Sequence, residues 1–370
     1  MSTQELLCPA VQKSRPVISF PASQSLQASA ALRTGAISTG LPRLDDAICP
    51  PFAEEYDDVN PRGIPKGHVT EVFGPPGVGK TSLALNIAAN ALLAGGKVVW
   101  IDTGPPLPRV RLREILHKSS QHSESSRTPE ELVNNLAYIR AQSLPHLLAL
   151  LLHTPANFPP QDCNLLVLDS ASGPFPSYFP NPTELKARLA QSKIIDKSQV
   201  PWLMNRNSNV TSDFANQLTK LATTHQIAVL AINQTRTRIK GQLRATLCPI
   251  LSGGPWESSI STRIALYRDF WTTEEGDVGN YRFAEVMKRS GRLLAMRLEE
   301  HIIPFAIETD GLRALNDHSS PRMVALNPDE GLGSTTQRKR KVDEIADSQD
   351  EDDSDTEYGW VDGDTGLLQK

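Results

Sequence analysis

Long apolar runs are missing from this 370-residue sequence. The best of them, Leu147–Leu152, falls well short of the ~20 residues that a helix needs to cross a bilayer. Cysteine is also scarce. The four present, Cys8, Cys49, Cys163 and Cys248, form no C-x-x-C pair and have no histidine at metal-ligand spacing. A disulfide framework and a zinc site are therefore both unsupported, and a reducing compartment fits best. The opening residues, MSTQELLCPAVQKSRP, hold no continuous apolar stretch, so a secretory signal is not expected.

The net charge of −4 is unevenly placed. Arg338, Lys339, Arg340 and Lys341 form a basic cluster, and Asp343 to Asp364 contains eleven acids and no base. Setting aside those four cations, the eleven acids and Lys370 leaves +2 for residues 1–337. The stretch DEIADSQDEDDSDTE carries too little apolar surface to fold, so residues 316–370 read as a disordered tail. The basic cluster has the composition of a nuclear import signal, and Ser348 and Ser354 lie among acids where phosphorylation is chemically reasonable. Residues 1–36, rich in Ser, Ala, Gln and Pro, read as a flexible N-terminal linker. Residues 49–63 read as a surface insertion.

Between these lies an alternation of apolar strands and periodic helices over 37–315. Strands are expected at Val69–Phe73, Lys97–Asp102, Leu136–Ile139, Leu165–Asp169 and Ile227–Ile232. Helices are expected at Lys80–Leu93, after the Thr128-Pro129-Glu130-Glu131 capping box, around Leu147 and at Ser212–Thr224. Later strands at Ile264–Tyr267, Arg282–Met287 and Ile302–Ile307 cluster without helices. The pattern predicts an α/β fold: a mainly parallel sheet with helices on both faces and an antiparallel C-terminal extension.

One segment carries specific chemistry. Gly74-Pro75-Pro76-Gly77-Val78-Gly79-Lys80-Thr81 matches G-x-x-x-x-G-K-[ST] between an expected strand and an expected helix. Glycines let backbone N–H groups turn onto phosphate oxygens at a helix N-terminus. Lys80 can reach the β- and γ-phosphates, and the Thr81 hydroxyl can ligate Mg²⁺. Nucleotide binding follows, with Mg²⁺ as the expected metal. The metal's carboxylate should end a later buried strand, and Asp169, closing LLVLD, supplies it. Asp102, closing KVVWID, is the weaker competitor. Leu251-Ser252-Gly253-Gly254 imitates the signature of transporter ATPases, but it follows the Asp169 strand by about eighty residues instead of closely preceding it, so that reading fails. A small-molecule kinase is compatible with the loop but leaves the remaining motifs unexplained.

Those motifs run in order from Ile37 to Leu312: ISTG with Leu44-Asp45, GIPKG leading into VTEVFGPPGVGKTSL, VVWIDT, LLVLDS, Ala231-Ile232-Asn233-Gln234, LSGGPWESSISTRIALYR, and Phe305-Ala306-Ile307 with Asp310-Gly311-Leu312. In this order they resemble the RecA-like recombinases, in particular the eukaryotic strand-exchange recombinase paralogues. The wording of the phosphate loop and the short N-terminus are most like the fungal mediator subunit that pairs with a second paralogue.

The resemblance implies a RecA-like ATPase core that binds ATP with Mg²⁺, and several residue roles. Lys80 and Gln234 would serve the reacting phosphates, Gln234 sensing the γ-phosphate and passing its state to a DNA-binding loop. Arg111 falls where the family stacks an arginine on adenine. The loop would be residues 235–254, whose Arg236, Arg238, Lys240 and Arg244 place four cations in nine positions, suited to salt-sensitive binding of single-stranded DNA. A first loop after Asp169, with Phe175, Tyr178, Phe179, Trp202 and Arg206 among further cations, either stacks bases or is packed chain. Gly104 stands where the family has a glutamate that orients the attacking water, so slow or absent hydrolysis is expected. Phe20 matches the family's partner-docking phenylalanine, although Ser23 replaces the alanine of that motif. The family's small N-terminal helical domain is expected to be absent. The implied partners are a second paralogue, a strand-exchange recombinase filament and single-stranded DNA, with no membrane, in the nucleus. A nucleotide-gated scaffold without DNA contact is the alternative.

Overall fold

The computed structural model describes residues 35–50, 62–121, 127–179, 200–238, 246–272, 278–295 and 298–315. All belong to the first of two units, 1–324; the second, 325–370, lies outside them. Strands β1 (Ala36–Ile37) and β2 (Ile64–Pro65) form a short antiparallel pair flanking helix α1 (Pro42–Ile48). Then come β3 (Val69–Phe73), α2 (Lys80–Leu93), β4 (Lys97–Asp102), α3 (Arg109–Gln121), α4 (Pro129–Val133), β5 (Leu136–Arg140), α5 (Leu144–Leu152) and β6 (Cys163–Asp169). The turn α6 (Phe175–Tyr178) and the long α7 (Val200–His225) lead to β7 (Ala228–Asn233). A hairpin of β8 (Thr235–Arg238) and β9 (Thr246–Pro249) precedes α8 (Gly254–Ser259). The chain then turns through β10 (Thr262–Thr272), β11 (Val278–Arg289), β12 (Arg292–Leu293), β13 (Ile302–Glu308) and β14 (Gly311–Ala314).

Among the described residues one ten-stranded sheet runs β14–β13–β11–β10–β3–β7–β6–β4–β5, with β12 beside β11. Every pairing from β10 to β5 is parallel, and those from β10 to β14 are antiparallel. The expected architecture is therefore present. The central strands are almost wholly apolar because both faces are covered. The two-residue period of a strand sends alternate side chains to opposite cores. Val72, Trp100, Val167 and Leu230 pack with Leu83, Ile87 and Leu112 on the α2–α3 face. Val69, Ile101, Leu168 and Val229 pack with Leu147, Phe214 and Trp256 on the α5–α7–α8 face.

Local chemistry accounts for several boundaries. Thr128 Oγ1 accepts from the Glu131 amide at 3.3 Å while Glu131 Oε2 accepts from the Thr128 amide at 3.0 Å, so the capping box opens α4 as its sequence requires. The ISTG segment is pinned on α2: Asp45 accepts from the Ser38 and Thr39 hydroxyls at 2.6 and 2.7 Å, and Asn86 donates to the Thr39 carbonyl at 2.7 Å. Helix α7 begins twelve residues before the expected Ser212. After an opening run of Val200 to Met204, the stretch Asn205-Arg206-Asn207-Ser208-Asn209 is polar and rich in asparagine, a poor helix former, so propensity hides the start of the helix. Thr211 donating to the Asn207 carbonyl at 2.8 Å and Arg206 lying over the Tyr178 ring tie that stretch down.

Candidate functional site

The phosphate loop bridges the end of β3 and the start of α2, at the C-terminal edge of the parallel strands. Gly77 and Gly79 hold φ of +79° and +110°, conformations that a side chain resists. A Cβ on Gly79 would also lie 2.4 Å from Ile307 Cδ1 on β13. The loop is thus seated against the antiparallel extension. Lys80 Nζ donates to the carbonyls of Gly74 and Pro75 at 2.7 and 2.9 Å, stretching back across the loop it closes. Burial lowers its pKa, and the Asp169 carboxylate opposes that shift.

Thr81 Oγ1 donates to Asp169 Oδ2 at 2.8 Å, joining the loop to the end of β6. Asp102 lies beside Asp169 in register but is held elsewhere. Its Oδ1 accepts from the Gly104 amide at 2.8 Å and its Oδ2 from the Tyr138 hydroxyl at 2.6 Å. Between the two candidate metal carboxylates, the one that meets Thr81 is Asp169. Burial pushes the Asp169 pKa up; the Thr81 hydrogen bond and Lys80 pull it down, and Asp102 adds to the rise. A carboxylate whose folded pKa exceeds its unfolded value costs stability as pH rises from the unfolded towards the folded pKa, and the cost persists above it. Asp169→Asn is therefore expected to raise the melting temperature of the nucleotide-free protein near pH 7 and to abolish any further rise on adding Mg·ATP. A melting scan with and without nucleotide checks both.

Beyond Asp169 the bonds continue. The Asp169–Ser170 peptide is cis. Ser170 exchanges backbone hydrogen bonds with the Thr103 hydroxyl at 2.8 and 3.0 Å. Ser170 Oγ accepts from Gln234 Nε2 at 3.2 Å, and Ser172 Oγ accepts from the Gln234 amide at 2.8 Å. Gln234 is the single residue between β7 and β8, so it stands at the root of the cationic hairpin. Arg236 is exposed there and pairs in register with Cys248, and Arg238 with Thr246. Lys240 and Arg244 lie outside the described residues, as do Phe20, the 338–341 cluster, Ser348 and Ser354. A Cβ built on Gly104 meets nothing within 4 Å, so the space for a longer side chain is open.

Arg111, on α3, donates from Nη2 to the Glu308 carbonyl at 2.9 Å, and its buried Nε has no partner. It therefore reaches the end of β13, the strand that supports Gly79. Phe175 is 3% exposed and packs against Phe214, so that member of the first loop is core rather than a base-stacking surface. Tyr178 is 39% exposed beneath Arg206 and remains on the surface. Sequence reasoning missed Arg268, whose Nη2 donates to the Gly77 carbonyl at 3.1 Å, and Arg282, opposite it in register. Burial and the Arg268 charge lower the Arg282 pKa. Only the strand pairing brings Arg268 to the loop and sets Arg282 beside it.

A family model described as Rad51 matches residues 51–250, more than half of the chain. The chain belongs to the Rad51 family. Within it the chain is similar to DNA repair protein rhp55 of Schizosaccharomyces pombe, 30% identical over 252 residues that cover 58% of this chain and 72% of that protein. It is also similar to DNA repair protein RAD51 homolog 3 of Dictyostelium discoideum, 24% identical across 75% of this chain and 68% of the relative. The hamster protein of the same name, from Cricetulus griseus, is 25% identical across 78% and 72%. The chain is thus a eukaryotic RecA-like recombinase paralogue, and the Rad51 match spans the phosphate loop, Asp169 and Gln234 together.

Proposed function

We propose that this chain is an ATP-binding recombinase paralogue that binds single-stranded DNA and assists assembly and stability of a recombinase filament during recombination repair of double-strand breaks. It acts in the nucleus as one half of a heterodimer with a second paralogue. One observation carries the reading: the bonds from Thr81 to Asp169, and from Ser170 to Gln234, end at the root of a hairpin bearing Arg236 and Arg238. Nucleotide occupancy and a cationic surface thus share one set of hydrogen bonds.

The residues present fit Mg·ATP. The loop supplies glycine-bounded backbone, Lys80 an ammonium, and Thr81 with Asp169 an oxygen pair already 2.8 Å apart. Among the described residues no group of three or more His, Cys, Asp or Glu could hold a metal alone. That suits Mg²⁺, which binds through one or two protein oxygens with phosphate and water. When bound it would neutralise charge on the phosphates. Lys80 would then exchange its two carbonyl acceptors for phosphate oxygens. Gln234 would sense the terminal phosphate through the same amide that now meets Ser170. Gly104 offers no group to activate water, so the nucleotide is held more than consumed.

Cations that neutralise phosphates release counterions, and each contributes about −0.7 to the slope of log affinity against log salt for single strands. Replacing Arg236 and Arg238 by glutamine is expected to flatten that slope by about 1.4. An unchanged slope in the double variant would favour the scaffold reading, in which this hairpin touches protein instead.

A further inference from the structure

The motif residues Glu71 and Asn233 have no part in phosphate chemistry, yet both are completely buried beneath the excursion that carries the cations. That excursion leaves β7 at Asn233 and returns at Leu251. The Asn233 side chain closes its neck, donating to the Leu251 carbonyl at 2.9 Å and accepting from the Leu251 amide at 3.2 Å. Ile250 N–H adds a bond to the Gln234 carbonyl at 2.8 Å. The same Asn233 amide donates to Glu71 Oε1 at 2.7 Å. Trp256 Nε1, on α8 just beyond the neck, donates to that oxygen at 2.9 Å, and Arg263 Nε donates to Oε2 at 2.5 Å. Glu71 sits at the middle of β3, the strand that runs directly into Gly74.

We infer that Glu71 is a positioning residue that couples the phosphate loop to the neck of the cationic excursion. Three donors converge on one carboxylate. Asn233 comes from the neck of the excursion at the end of β7, Trp256 from α8 just beyond its return, and Arg263 from β10, the strand that follows. All three are fixed to the strand that feeds the loop. A purely structural core would be served better by apolar side chains, since burying an ion pair seldom adds net stability over a well-packed hydrophobic replacement. Arg263 Nη2 is buried without a partner, and Lys288 stands 7% exposed beside Arg263, its pKa lowered first by burial and then by that neighbour. What the polar arrangement does provide is directional bonding: a shift of β3 at the loop must be followed by Asn233 and Trp256 or break their bonds. A contiguous network of this kind is one way in which a site can bias another.

The inference rests on the proposed nucleotide binding but not on DNA contact, and its test needs no DNA. Amide hydrogen exchange is followed over residues 246–251 in the full chain, with and without Mg·ATP, beside calorimetric measurement of nucleotide affinity. In the wild type, Mg·ATP is expected to slow exchange there by fivefold or more. Glu71→Gln, which keeps one acceptor oxygen but sets an amide against Arg263, is expected to bind Mg·ATP within threefold of wild type and to lose that response. A merely structural glutamate would lower the melting temperature and leave the nucleotide response intact, which would overturn the inference. If Glu71→Gln fails to fold, Trp256→Phe keeps the ring stacked on Phe214, removes one donor to Glu71, and should at least halve the response. An undiminished response in Trp256→Phe would likewise overturn the inference. Nucleotide binding by the wild type with no change at 246–251 would refute the coupling alone. Absence of nucleotide binding would refute the proposed function and the coupling with it.

Discussion

Replacing Lys80 by alanine is expected to weaken Mg·ATP binding by about 100-fold or more. The ammonium is half-buried and its two present acceptors are loop carbonyls at 2.7 and 2.9 Å, so it is already inside the space the loop encloses. Hydrogen bonds to charged groups contribute ~1.5–3 kcal/mol each, and a loss of about 3 kcal/mol corresponds to roughly two decades in affinity. The fold should survive, because Lys80 lies in the first turn of α2 and the apolar anchors Leu83 and Ile87 are untouched. Calorimetric titration of the variant beside the wild type measures the loss. An affinity within a few-fold of wild type would mean that the loop does not hold a triphosphate.

Gly104→Glu is expected to raise ATP turnover by about 100-fold, the lower end of what a positioned acid or base contributes. The substitution is sterically open, since nothing lies within 4 Å of a Cβ at this position. The Gly104 amide can keep its bond to Asp102, and Thr103, one residue before, already bonds Ser170 in the group that holds Gln234. A new carboxylate would therefore enter beside Asp169 and Gln234. Gly104→Ala should leave turnover at the wild-type level, and adding Lys80→Ala to Gly104→Glu should abolish the gain. Steady-state phosphate release measures all three. A wild-type chain that already turns over ATP as fast as a strand-exchange recombinase would refute the reading of Gly104.

Legibility followed the range of the interactions. The phosphate loop, the capping box at Thr128 and the buried strand ending in Asp169 are set by neighbours in sequence, and each was readable from residue type and spacing. The sequence alone already favours Asp169 over Asp102, both of which end apolar strands, and the sheet adds contacts that spacing does not show: Thr81 meets Asp169, while Tyr138 from β5 occupies Asp102. The place of Arg268 at the loop and of Arg282 opposite it was not legible, because it depends on β10 pairing with β3 and on the antiparallel register of β10 and β11. Glu71 was hidden for the same reason. A glutamate inside an apolar strand reads as an interruption until partners from 162 to 192 residues away arrive to satisfy it. The start of α7 was masked by the asparagine-rich stretch 205–209, whose propensity tertiary contacts override. Phe175, a proline-flanked aromatic, left base stacking and packed chain both open, and only Phe214 placed against it decides for the core.

The central claim is that nucleotide in the loop and single-stranded DNA on the cationic hairpin are bound by one molecule. Fluorescence anisotropy of a labelled oligothymidylate, titrated with the full chain plus Mg·ATP across a series of salt concentrations, tests it most directly. Four phosphate contacts from Arg236, Arg238, Lys240 and Arg244 predict a log–log slope of about −3, with tighter binding when Mg·ATP is present than when it is omitted. Binding that is absent, or equally strong at every salt concentration and indifferent to nucleotide, would contradict it.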